Sequence, residues 1–291
     1  MSNSRRAFLK LGGLGVLGLT TPIKKLSSAF MQENFFHKKA SNYGIQLWTV
    51  KEDMAANAKE TLKSIASDGY GFIESFEGKQ GMFWGMNYKE FKKYLDDLHI
   101  KIVSSHCDIN KDFERKAEEA AAIGMSYLIC PWKGPQKTID DFKRIADDFN
   151  TKGEICRKNG IRFAYHNHDY SWKPLDGEIP QEVMMNNTDK NLVDFEMDIY
   201  WVVAAGVNPE TYLKKYKDRF RLCHVKDLTK TANGNHESCI LGKGTIDYTS
   251  IIHAAKENGV HYFIVEQEAF TGTNPLESAK ADAEYMRKYT F

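Results

Sequence analysis

The chain has 291 residues, 42% hydrophobic and 27% charged, the profile of a soluble globular protein rather than a fibrous or disordered one. Its 40 lysines and arginines nearly balance 39 aspartates and glutamates, so there is no basic footprint for nucleic acid and a nuclease role starts at a disadvantage. Aromatic residues make up 12%, enough to suit stacking against carbohydrate, although core packing accounts for most of them.

The first element is not part of a fold. MSNSRRAFLKLGGLGVLGLTTPIKK has a polar start, the pair Arg5–Arg6, then Ala7, Phe8, Leu9, Lys10 and a short apolar run rich in glycine and leucine. Residues 1–30 therefore read as an export signal, and SRRAFLK resembles the twin-arginine class, which places the protein in the periplasm. The apolar run is too short and glycine-rich for a stable membrane span. No cysteine follows it to carry a lipid anchor. A polar linker at 31–40 then leads into one domain, 41–291. The five cysteines, Cys107, Cys130, Cys156, Cys223 and Cys239, are scattered and odd in number, unlike a disulfide framework.

From residue 41 a single rhythm runs to the end. Strand candidates are YGIQLWT (43–49), FIESF (72–76), IKIVSSH (100–106), SYLICPW (126–132), IRFAYHNH (161–168), LVDFEMD (192–198), FRLCHVKD (220–227) and YFIVEQE (262–268). Amphipathic segments lie between them, such as NAKETLKSIASDG and DFERKAEEAAAIG. Several stop at a glycine before the next strand: Gly69, Gly124, Gly160 and Gly259. Alternating βα units imply a parallel sheet, and eight of them in about 250 residues imply a closed (β/α)8 TIM barrel. An open doubly wound sheet would carry a glycine-rich phosphate loop after strand one, where QLWTVKEDM has none.

In such a barrel the chemistry sits where the strands end. Strand two closes on Glu74 and Glu77, strand three on His106, and strand five on His166 and His168. Strand six carries Glu196 and Asp198, strand seven His224, Lys226 and Asp227, and strand eight Glu266 and Glu268. Taken singly, each would be a satisfied core group or a rim salt bridge, as we read His253 and His261. Together they are too costly to desolvate unless paired or metal-bound. Period-2 geometry puts His166 and His168 on one side, as it does Glu196 with Asp198 and Glu266 with Glu268. Imidazole and carboxylate without thiolate suit one divalent ion, manganese, cobalt, zinc or magnesium, with positions left for substrate oxygens. One member of each pair would bind the ion and its neighbour would support it or move protons.

FEMDIYW, CHVKD followed by GKGTIDY, and IVEQE, on a βα pattern opening with YGIQLWTV, resemble the xylose isomerase-like barrels over about residues 43–290. That superfamily includes ketose 3-epimerases, hydroxypyruvate isomerase and inosose dehydratase. The resemblance implies an ion held by Asp198, His224 and Glu266, with Glu268 as the alternative for the last. Where the epimerase branch has its first glutamate, this chain has His166, and where that branch places a histidine it has Trp201. The His-x-His of YHNH is closer to the inosose dehydratase-like branch. One of His166 and His168 then joins the ion, His166 in our assignment.

The chemistry expected is removal of a proton from carbon next to a carbonyl, followed by isomerisation, epimerisation or loss of a β-substituent. His168, Glu266, Glu268, Lys226 and His106 are the expected proton-handling residues. Glu74, Trp48, His106, Trp132, Glu196 and Trp201 are expected against substrate. Export and the lack of a phosphate cradle favour a free sugar, keto-sugar or keto-glycoside as the small-molecule partner. A homo-oligomer is compatible with all of this. The rivals are a non-catalytic sugar-binding barrel and, less favoured by the neutral charge, an endonuclease IV-like nuclease with three metals.

Overall fold

Alternating apolar runs and amphipathic segments close into a barrel because each strand buries both faces, one against helices and one against the barrel interior. The computed structural model describes residues 41–291; the expected signal at 1–30 and linker at 31–40 lie outside the described residues. The strands are β1 (Gly44–Gln46), β2 (Phe72–Phe76), β3 (Lys101–His106), β4 (Tyr127–Cys130), β5 (Arg162–His166), β6 (Val193–Asp198), β7 (Phe220–Val225), β8 (Asp227–Lys230), β9 (His236–Cys239) and β10 (Tyr262–Val265). The helices are α1 (Lys51–Asp68), α2 (Tyr88–Asp97), α3 (Phe113–Ala122), α4 (Ile139–Lys158), α5 (Pro180–Asn187), α6 (Ile199–Ala204), α7 (Pro209–Lys215), α8 (Tyr248–Glu257) and α9 (Pro275–Met286). Around the barrel the order is β1-β10-β7-β6-β5-β4-β3-β2, closed, with every pair parallel. None of the described helices is long and apolar enough to cross a membrane.

Two differences from the sequence reading bear on the site. The first strand ends at Gln46, and LWTV forms a short 3-10 turn because the Gln46 side chain accepts from the Trp48 amide at 3.1 Å. Trp48 therefore stands on a turn at the rim. The stretch after strand seven, which the sequence reading assigned to no element, pairs as the antiparallel hairpin β8–β9. Gly69, Gly124, Gly160 and Gly259 all take positive φ at the ends of helices, as their positions suggested.

The barrel interior is layered. Phe72, Val103, Tyr127, Ile129, Ala164, Leu222 and Ile264 form one apolar cluster, separate from the larger cluster between strands and helices. Two residues further along β2, β5 and β7, and just past the end of β10, come Glu74, His166, His224 and Glu266. The polar site thus rests on a dry hydrocarbon floor. The strand register slips by one residue between Ile73 and Glu74 against β3, and again between Phe195 and Glu196 against β7. Such irregularities re-aim side chains next to functional sites.

Candidate active site

The GKGTIDY and CHVKD segments meet through Asp227. Its carboxylate accepts from the amides of Leu228 (2.8 Å), Gly242 (2.8 Å), Gly244 (3.0 Å) and Ile246 (3.2 Å). The Tyr248 hydroxyl accepts from the Lys226 amide at 2.8 Å and donates to the Lys226 carbonyl at 2.6 Å. These contacts pin the end of β7, so that His224 and Lys226 are aimed inward by a rigid frame. Asp227 itself is structural, buried at the hairpin base.

The metal-capable residues do converge. Asp198, His224 and Glu266 offer ligand atoms within 4.8 Å of one another, and His106, His166, Glu196 and His224 form a second such group. Asp198 is the N-cap of α6, where its Oδ1 accepts from the Trp201 amide at 3.1 Å. That leaves Oδ2 buried with no hydrogen-bond partner. Around this oxygen stand Lys226 Nζ at 3.6 Å, His166 Nε2 at 3.8 Å and His224 Nδ1 at 3.8 Å. His224 Nδ1 also lies 3.3 Å from Glu266 Oε2. An orphaned, fully buried carboxylate oxygen facing two imidazole nitrogens is a donor set that fits a divalent ion, for which carboxylate and imidazole are ordinary ligands. Asn167, between the two histidines of YHNH, fixes the spacing: its Oδ1 accepts from the Asp198 amide at 3.1 Å and its Nδ2 donates to the Asp198 carbonyl at 3.2 Å.

Beneath this ring lies a second tier. Glu74 Oε1 receives Gln46 Nε2 at 2.8 Å and His224 Nε2 at 2.7 Å, and Ser104 Oγ donates to Glu74 Oε2 at 2.6 Å. Glu196 Oε2 is met by His106 Nε2 and His166 Nδ1, each at 2.9 Å. Glu74 and Glu196 are wholly buried and do not line the cavity, so the expectation that they contact substrate is corrected. Lys226 is also fully buried, 3.0 Å from Glu266 and 2.9 Å from Glu268, with its ammonium over the rings of Tyr200 and Trp201.

The charges follow from burial and neighbours. Burial, then the adjacent Glu74, pushes Glu196 up to about 7. Burial raises Asp198 to about 6 against the pull of Lys226 and His224. Burial would raise Glu74 as well, but His106 and His224 outweigh it and hold it well below the usual carboxylate range. Lys226 and His224 do the same for Glu266. Burial would lower His106, but Glu74 and Glu196 raise it to about 9. Burial keeps His166 well below the usual imidazole value, with neighbouring His224 adding to the effect, so its ring is neutral. Burial and Lys226 lower His168 to about 3.

Above the ring opens a cavity of about 470 Å³, lined among others by Trp48, Phe76, His106, Trp132, His166, His168, Glu266 and Glu268. Trp48 and Trp132 are 40% and 53% exposed, the large hydrophobic residues that remain open among those described. Trp132 packs edge-on against His168 with ring centroids 4.5 Å apart. Trp201, expected against substrate, is not part of the lining; it tilts on His168 at 5.4 Å and shields Lys226. Sequence reasoning missed Gln46, Ser104 and Asn167. Only Asn167 carried a signal, as a polar residue fixed between two histidines.

A model of the xylose isomerase-like TIM barrel family matches residues 62–289. The inosose dehydratase of Lacticaseibacillus casei is 25% identical over 284 residues, spanning 82% of this chain and 93% of that protein. A sugar phosphate isomerase/epimerase from Parabacteroides distasonis superposes with a TM-score of 0.74 at 26% identity, covering 87% of this chain and 95% of its own. The IOLI protein, solved with a bound zinc atom, shares the fold at a TM-score of 0.70 and 16% identity, covering 86% of this chain and 99% of its own.

Proposed function

This chain belongs to the xylose isomerase-like TIM barrel family, and from that premise we propose that it is a divalent-metal-dependent lyase that dehydrates a keto-sugar or related keto-polyol. The observation that carries the metal requirement is the orphaned Oδ2 of Asp198, which faces His166 Nε2 and His224 Nδ1 beside Glu266. These four residues would hold the ion. When bound, it would supply Lewis-acid polarisation of the substrate carbonyl, which acidifies the neighbouring C–H.

The remaining work falls to the chain's own groups. Glu268 lines the cavity, partly exposed, with its carboxylate held 2.9 Å from the Lys226 ammonium, and is assigned as the base that takes the proton from carbon. His106 lines the same cavity and retains its proton to about pH 9, so it is assigned as the acid that returns a proton to the departing hydroxyl. The C–H and C–O bonds break, a C=C bond forms next to the carbonyl, and water leaves. Neutral His168, braced by Trp132, is placed to hydrogen-bond a substrate hydroxyl. Trp48 and Trp132 offer faces for the C–H side of a sugar ring.

Kinship with an inosose dehydratase across nearly its whole length favours elimination over simple epimerisation, as does a histidine at position 166. Isomerisation or epimerisation through the same proton abstraction is the second reading, favoured by the Parabacteroides relative. Incubating metal-loaded protein with a panel of keto-sugars and inososes in deuterated water tests both. Loss of one water from the product supports dehydration, and deuterium at the carbon next to the carbonyl without water loss supports the second reading. Neither outcome on any member of the panel would sink both.

A further inference from the structure

We infer that Glu74 and Glu196 are positioning residues that choose which ring nitrogen of His224 and His166 faces the metal centre, and that the two histidines present opposite nitrogens, Nδ1 from His224 and Nε2 from His166. This rests on the reading of His166, Asp198, His224 and Glu266 as the ion-holding set.

The geometry is asymmetric. In His224 it is Nε2 that lies 2.7 Å from Glu74 Oε1, while Nδ1 turns up toward Glu266 Oε2 at 3.3 Å and Asp198 Oδ2 at 3.8 Å. In His166 it is Nδ1 that lies 2.9 Å from Glu196 Oε2, while Nε2 turns toward Asp198 Oδ2 at 3.8 Å. Glu74 Oε1 and Glu196 Oε2 also meet a second donor each, Gln46 Nε2 and His106 Nε2, so they act as acceptors toward the ring nitrogens against them. In the loaded site those nitrogens would keep their hydrogen, and the opposite nitrogens, which face the ion-holding carboxylates, would offer the lone pair a metal needs. A carboxylate behind an imidazole also raises its basicity as a ligand and locks the ring plane.

The two glutamates are themselves fixed. Glu74 is held by Gln46 Nε2 at 2.8 Å and Ser104 Oγ at 2.6 Å, from the strands on either side of β2. Glu196 is held by His106 Nε2 at 2.9 Å. Both follow a slip in strand register, and Glu74 lies two residues beyond Phe72 of the apolar cluster. A purely structural pair of buried carboxylates would have no reason to engage one histidine through Nε2 and the other through Nδ1. Side chains whose task is to orient two ligands from two strands toward one point would do so, because the strands approach that point from different sides.

The test uses the full chain and zinc. Zinc affinity, measured by chelator competition, is expected to fall about 10–100-fold in Glu74→Gln and in Glu196→Gln. The gain in melting temperature on adding zinc should shrink in both variants by more than the apo melting temperature changes, which a merely structural role would not produce. In zinc-loaded wild type with isotope-labelled histidine, nitrogen shifts should show hydrogen on Nε2 of His224 and on Nδ1 of His166. That measurement decides the matter alone should either variant fail to fold. Affinities within about threefold of wild type, the opposite nitrogen pattern, or two zinc ions per chain with the second on His106, Glu196 and His224 Nε2, would overturn the inference while leaving the metal centre standing. A wild type that binds no zinc would overturn both.

Discussion

Replacing Lys226 by methionine separates the roles of a built-in cation and an added one. The ammonium is fully buried and stands 3.0 Å from Glu266, 2.9 Å from Glu268 and 3.6 Å from Asp198. At an effective dielectric of about 20, a unit pair near 3 Å is worth roughly 5 kcal/mol gross, and the contact with partly exposed Glu268 less because water screens it. Desolvating the lysine costs several kcal/mol, so the net loss on removing it is about 3–5 kcal/mol, most of it from carboxylates left uncompensated. For a chain of this size that is a fall in melting temperature of roughly 6–20 °C in metal-free protein. A divalent ion between the same carboxylates supplies the missing charge, so the loaded variant should melt within a few degrees of loaded wild type. By linkage the ion must then bind the variant at least about tenfold more tightly. Calorimetry with and without manganese or zinc reads both quantities. An equal fall in the two states, or no fall at all, would refute the idea that Lys226 and the ion answer to the same negative charge.

Other outcomes follow from single contacts. Asp282 is buried, its Oδ1 accepting from the Leu241 amide at 2.7 Å and its Oδ2 without a partner, and burial pushes its carboxyl up to about 8. Its folded pKa is raised above the unfolded value, so the native state binds the extra proton and stability drains away as pH rises from about 4 to about 8. Asp282→Asn should therefore melt higher than wild type at about pH 9 and lose that advantage by about pH 5; a constant or reversed gap across the range would refute this. A Cβ on Gly244 would sit 2.2 Å from Asp227 Oδ1, so Gly244→Ala should cost about 1–3 kcal/mol in denaturant titration. An unchanged midpoint would show that the Asp227 clamp tolerates the methyl. Trp132→Ala removes a half-exposed cavity wall; hiding about 50 Å² of sugar on it is worth roughly 1.3 kcal/mol, so KM should rise about tenfold with little change in melting temperature. We propose export for residues 1–30, and finding that segment intact on protein recovered from the cytoplasm of its host would count against it.

The barrel was legible because its signals are local and repeated. Runs such as FIESF and FRLCHV cannot be half-exposed strands, and glycines such as Gly124 stop helices at predictable places. The rim residues were legible for the same reason, since period-2 spacing tells which residues share a face. It does not tell how deep they lie. Glu196 and Asp198 are two apart on one strand and both point inward, yet Asp198 faces Nε2 of His166 and Nδ1 of His224 while Glu196 lies against the opposite side of the His166 ring. Depth depends on strand tilt and on the slips at Ile73/Glu74 and Phe195/Glu196, which arise between strands far apart in sequence. The extent of the first strand was misjudged for a local reason: Gln46 caps a turn with its own side chain, a contact that an apolar stretch like QLWTV does not advertise.

The layering also explains why so many ionisable groups share one interior. Glu74, Glu196, Asp198, Glu266 and Glu268 are five carboxylates, and Lys226, His106 and His224 are the three neighbouring groups that carry positive charge when protonated. With all eight ionised, the site would hold two negative charges in excess, on an apolar floor that cannot solvate them. The surplus shows up as proton affinity: Glu196 and Asp198 are the carboxyls raised to about 7 and 6, while His106 and His224 hold Glu74 low and Lys226 and His224 hold Glu266 low. Asp198 is also the residue whose second oxygen finds no donor. A centre with two charges to spare and an acceptor left open is matched by one divalent cation. Loading should therefore stabilise the fold as well as complete the site.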